Sequence, residues 1–148
     1  MKYIKTSALF LMLGGALLNA QTLKSPDGKF EMNFQLKGGV PYYNLAFQGK
    51  TVVEDSKLGL RLYKEGGLQF ASEIDTTVNE GKNLNAGFTK VDEKRDTKNE
   101  SWNPVLGEKK TYINHYNELA ITLDQKDTKR KMVVKFRLFN DGLGFRYE

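Results

Sequence analysis

Residues 119–148 read LAITLDQKDTKRKMVVKFRLFNDGLGFRYE. Leu119, Ile121 and Leu123 alternate with Ala120, Thr122 and Asp124. Met132, Val134, Phe136 and Leu138 alternate with Val133, Lys135 and Arg137. A period of two places each apolar set on one face of a strand and leaves the other face polar. The polar link from Gln125 to Arg130 joins the two runs as a hairpin. Asn140-Asp141-Gly142 is a further turn signal, because these residue types tolerate the φ > 0 positions of tight turns. Leu143, Phe145 and Tyr147 then open a third alternation, which is expected to continue beyond Glu148.

The same period extends toward the N-terminus. Ser25-Pro26-Asp27-Gly28 is a turn with proline and Asp-Gly in suitable places. It introduces Phe30, Met32, Phe34 and Leu36, which alternate with Glu31, Asn33 and Gln35 and end at Gly38-Gly39. Tyr43, Leu45 and Phe47 predict a second strand, closed by the hairpin turn Gln48-Gly49-Lys50 into Thr51-Val52-Val53. Leu58, Leu60 and Leu62 suggest another. From Tyr63 to Lys110 the pattern weakens to Gly66-Gly67, a polar run and the single Trp102, and predicts long loops with two or three short strands. No stretch sustains a 3.6-residue apolar period. The expected fold is an all-β antiparallel sandwich or barrel in one domain, with no internal repeat.

Composition narrows the chemistry. The chain has 148 residues, no cysteine and one histidine, His115. Disulfides, thiolate metal sites, thiol nucleophiles and multi-histidine clusters are thereby excluded from this chain. Residues 1–20 carry Lys2 and Lys5, an apolar run from Ala8 to Leu18 and small Ala20, the pattern of a secretory signal peptide. The apolar run is shorter than the roughly 20 residues a membrane span needs. An exported, periplasmic protein is expected, with 21–148 as the mature domain and no membrane association after cleavage. Lys2 and Lys5 belong to the leader, so 23 basic residues become 21 against 18 acidic ones, a net +3. Basic and acidic residues are interspersed, unlike the concentrated stripe of a nucleic-acid binder.

Two segments are more distinctive: ESWNPVLGEKKTYINHYNELAITL at 100–123 and KMVVKFRLFNDGLGFRYE at 131–148. With SPDGK at 25–29 and GKTVVEDSKLGL at 49–60, they resemble the N-terminal domain of glycoside hydrolase family 97, exported bacterial α-glucosidases and α-galactosidases. One departure is visible: the family usually has tryptophan where this chain has Leu106. The resemblance implies an incomplete part of a galactose-mutarotase-like super-sandwich, with unpaired strand edges exposed. It implies a downstream (β/α)8 barrel that carries the catalytic carboxyl groups, and calcium in the full-length enzyme, bound by no residue of this chain. The implied substrate is an α-linked oligosaccharide. No catalytic or metal residue is assigned, and the chain is expected to be inactive alone.

Three residues are candidates for substrate contact. Trp102 offers a flat apolar face to a sugar ring, or packs on the core or a domain interface. Glu108 could face an active site, or pair with Lys109 or Lys110 at the surface. His115 could hydrogen-bond sugar hydroxyls, or belong to a structural turn before the Leu119 strand, with Asn117 bonding backbone. Asp141-Gly142 reads as turn geometry rather than a calcium site. The alternative from a different class is a freestanding exported carbohydrate-binding β-sandwich, resting on Tyr42, Tyr43 and Trp102.

Overall fold

A computed structural model describes residues 20–61, 83–108 and 110–148. Residues 1–19 of the leader, Leu62 and Gly66-Gly67 lie outside these residues. Among the described residues, eight strands form two antiparallel sheets of four. The first contains β1 (Gln21–Lys24), β2 (Phe30–Lys37), β3 (Val40–Phe47) and β4 (Lys50–Lys57), in chain order. The second contains β5 (Phe88–Trp102), β6 (Tyr112–Gln125), β7 (Arg130–Phe139) and β8 (Leu143–Tyr147), also in chain order.

The alternation sets which faces meet. Met32, Phe34 and Leu45 of the first sheet bury against Leu119, Ile121, Leu123, Met132, Val134, Phe136 and Leu138 of the second. The rings of Phe34 and Phe136 meet across the sheets at 6.1 Å, and Tyr43 reaches Phe136 at the same distance. The expected all-β sandwich is therefore the observed fold. Its layers are held together by one apolar seam, the dominant favourable term in folding.

Turn chemistry sets the register. Gly38-Gly39 and Gln48-Gly49 all have φ between 48° and 79°, the geometry of two-residue hairpins that match strand twist. The turn at Asn140-Asp141-Gly142 is also a hairpin, yet none of its residues has positive φ. It closes through the Phe139 N–H donating to the Gly142 carbonyl at 2.8 Å. Asn140 serves another purpose: its Oδ1 accepts the Asp27 N–H at 3.0 Å and ties the SPDG turn to the second sheet.

The structure corrects three expectations. Where loops and short strands were expected before Lys110, Phe88–Trp102 is one strand of 15 residues. Its sequence FTKVDEKRDTKNESW hides the period for two reasons. Most of its side chains are polar and exposed. In addition, Val91 is an extra residue between the Lys90↔Leu123 and Asp92↔Thr122 pairs, which reverses the phase of everything after it. His115 lies within β6, opposite Asn99, and not in a turn. Leu58 and Leu60 follow the end of β4 rather than forming a strand: Leu58 is buried and Leu60 makes an isolated bridge to Leu84.

Candidate functional site

The β5–β6 hairpin is longer than the sheet that carries it. β7 pairs with β6 only from Tyr116 to Gln125. Beyond that, among the described residues, Tyr112–His115 pair only with Asn99–Trp102, forming a two-stranded arm whose strands are joined by the loop that begins at Asn103. All three residues singled out from the sequence sit on this arm. Trp102 ends β5, Glu108 is exposed in the loop, and His115 lies at the arm's base.

The arm separates them. Trp102 is paired with Tyr112, and their rings stack at 5.6 Å with 15° between planes. His115 shares the opposite face with Ile113, because adjacent residues of a strand alternate sides. Trp102 is neither core nor fully free: it remains 53% exposed with one face on Tyr112. Tyr112 was not singled out from the sequence. Reading Trp102 and Tyr112 as the two ends of a loop through Pro104 and Gly107 would have found it.

Below the arm, the inward face of β5 is polar. Glu93 accepts from Lys90 Nζ at 3.1 Å and forms an ion pair with Arg95 at 2.8 Å. Burial works to raise the Glu93 pKa, but the hydrogen bonds from Lys90 and Arg95 outweigh it and hold the carboxyl below its ordinary value. Arg95 also donates to the Thr22 carbonyl at 2.7 Å, and Asn117 Nδ2 donates to the Lys24 carbonyl at 2.8 Å. These two side chains satisfy outward carbonyls of β1, whose other edge pairs with β2. Asn117 thus bonds backbone, as one sequence reading held, and it does so across the two sheets.

On the outer face of the second sheet, Arg137 lies 4.6 Å from the Tyr116 ring and donates to Glu118 Oε2 at 2.7 Å. The Glu118 hydrogen bond is the main reason that the Arg137 pKa is raised. Tyr116 meets Phe139 at 5.1 Å. This cluster braces the sheet where the arm leaves it. Among the described residues no three His, Asp or Glu converge into a group that could hold a metal.

The residues that carry this arm also lie within the span matched by a known family. The model of the glycosyl-hydrolase 97 N-terminal domain matches residues 23–148, from β1 to the last residue. The chain belongs to glycoside hydrolase family 97. The family 97 sandwich is also found in solved structures. A family 97 enzyme from Pseudoalteromonas sp. strain K8 in complex with panose has 25% identity and a TM-score of 0.71, covering 86% of this chain and 17% of that one. The same values hold for its complex with acarbose. A β-arabinopyranosidase shares the fold at 20% identity and a TM-score of 0.66, covering 86% of this chain and 18% of that one. The family 97 domain described here spans less than a fifth of the length of these relatives.

Proposed function

We propose that this chain is the N-terminal sandwich of an exported, calcium-dependent α-glycosidase of the α-glucosidase or α-galactosidase type. In this reading it supports the active site of a downstream (β/α)8 barrel and does not hydrolyse substrate alone. The observation that carries the reading is the family match over residues 23–148. The panose and acarbose complexes of relatives 25% identical support oligosaccharides as the substrate class. Glycoside hydrolysis needs two carboxyl groups flanking the scissile bond, one protonating the leaving oxygen. The reading places that pair in the barrel, and the calcium ligands in sequence beyond Glu148, one of them on the remainder of the sandwich. The signal-peptide pattern of residues 1–20 supports a periplasmic location.

The decisive assay compares this chain with the longer polypeptide. Purified as 148 residues, it is expected not to turn over p-nitrophenyl α-glucoside. The polypeptide continuing past Glu148 is expected to do so and to lose activity on calcium chelation. Turnover by the short chain overturns the supporting role.

A second reading, a carbohydrate-binding sandwich, draws on the exposed Trp102–Tyr112 stack. Trp102 is the only tryptophan, so its fluorescence reports the site directly. An emission shift that saturates with maltose or melibiose supports this reading. A flat calorimetric titration on folded protein removes it.

A further inference from the structure

Of the eight large hydrophobic side chains exposed among the described residues, five lie between Trp102 and Ile113. Val105 is 99% exposed, Leu106 90% and Ile113 74%, beside Trp102 and Tyr112. Scattered apolar exposure is ordinary, but a cluster of this kind marks an interaction surface. At the tip, Trp102 and Tyr112 occupy one face of the ribbon and Ile113 the other, and Val105 and Leu106 are exposed in the connection that follows β5. Among the described residues no third strand flanks this ribbon, and a two-stranded ribbon is marginal by itself.

Two arguments identify what covers it. The first is chemical. A sugar is held by aromatic faces ringed with polar groups, whereas nearly bare Val105 and Leu106 gain only from a dry, apolar protein surface. The second is size. A stable complex between separate molecules buries about 1,200–2,000 Å². Five side chains at a hairpin tip fall well below that. A tethered partner needs far less, since linkage removes most of the cost of association. The solved family 97 relatives offer such a partner: more than four-fifths of their length lies outside the part this chain matches.

We propose that the tip of the β5–β6 arm seats this domain on the catalytic portion of the same polypeptide, with Val105 and Leu106 inserted into an apolar recess there. The inference rests on the proposed function and names the contact through which the domain acts.

The test uses the full-length enzyme with Leu106 replaced by the photo-crosslinking amino acid p-benzoylphenylalanine. Exposed Val91, on the bulge of β5, carries the same probe as a control. After irradiation, peptide mass spectrometry is expected to show an intrachain crosslink from position 106 to sequence beyond Glu148, and none from position 91. With the probe at Trp102, the double substitution Val105→Asp/Leu106→Asp is expected to lower crosslink yield at least tenfold. A crosslink to residues 62–82, a crosslink only between copies, or no crosslink from position 106 each overturns the proposal. Failures of the two readings are distinguishable. An active full-length glycosidase with an uncrosslinked arm overturns the docking alone. A reading frame that closes at Glu148 overturns the proposed function and the docking with it.

Discussion

Phe136 shows how much one side chain contributes to this sandwich. It is fully buried, and its ring lies 6.1 Å from Phe34, 6.1 Å from Tyr43 and 5.9 Å from Phe145. Three strands therefore lose contacts at once if it is truncated. Phe136→Ala is expected to cost about 3–5 kcal/mol, through lost transfer energy and the cavity left behind. That is a large part of the roughly 5–15 kcal/mol that holds a domain folded. The measurement is a urea midpoint that falls with unchanged slope. Gly59 is a different kind of sensitive position. It has φ 152°, and a Cβ there would lie 2.7 Å from both Asn85 Cα and the Leu84 carbonyl oxygen. Gly49, at φ 78°, has nothing within 4 Å. Gly49→Ala is expected to cost about 1–2 kcal/mol from backbone strain alone. Gly59→Ala is expected to cost clearly more, because backbone has to move; paired thermal melts distinguish the two. The phenylalanine's role was legible in the period of its strand. The glycine's was not, since the close approach comes from a segment 25 residues away.

Among the elements, β1 and β5 depart furthest from what their sequences suggest. β1 has four residues and one ladder, to β2. Its other side is held by Arg95 and Asn117 from the second sheet. Asn117→Ala is expected to remove about 0.5–1.5 kcal/mol of local stability. Amide exchange should accelerate in β1 while the β6–β7 ladder stays protected. Equal acceleration in both would show that β1 is not an independent opening unit. β5 was hidden by its own composition. Strand patterns are readable when one face is apolar, and the inner face of β5 beyond Phe88 presents Glu93, Arg95 and Thr97 instead. The bulge at Val91 then shifts the phase, so no single period spans the strand. The arm that carries the candidate site was missed for the same reason, although Trp102, Glu108 and His115 had each been singled out.

Charge acts on the molecule as a whole through carboxylates on both sheets. Asp27 is held below its ordinary value by the Ser25 hydroxyl and the Lys29 N–H, and Asp55 by Lys37 and Asn44. Glu93 is held down despite burial. A carboxyl with a depressed pKa in the folded state takes up its proton more readily once unfolded. Its stabilising contribution is therefore complete above the ordinary carboxylate range near pH 4 and is lost as pH falls through and below it. The urea midpoint is expected to stay level from pH 7 to about 5.5 and to decline below about pH 4.5. Asp27 and Asp55 are exposed, so added salt should flatten part of that decline. A midpoint that rises on acidification would contradict these assignments.

The sequence by itself determined the all-β class, the inward faces of β2, β3, β6 and β7, the end of β2 at Gly38-Gly39, and the hairpins at Gln48-Gly49 and Asn140-Asp141-Gly142. These follow from side-chain alternation and turn chemistry, which act over a few residues. It also carried the family resemblance, through segments that lie in the arm and in β6 to β8. Only the tertiary structure decided that a polar fifteen-residue segment is a strand, since its ladder with β6, not an apolar face, holds it. Only there do Arg95 and Asn117 meet β1 across more than 70 residues of chain. Only there do Trp102 and His115 fall on opposite faces of one arm. Local pattern dictates what a segment can form, while long-range pairing decides which segments share a surface.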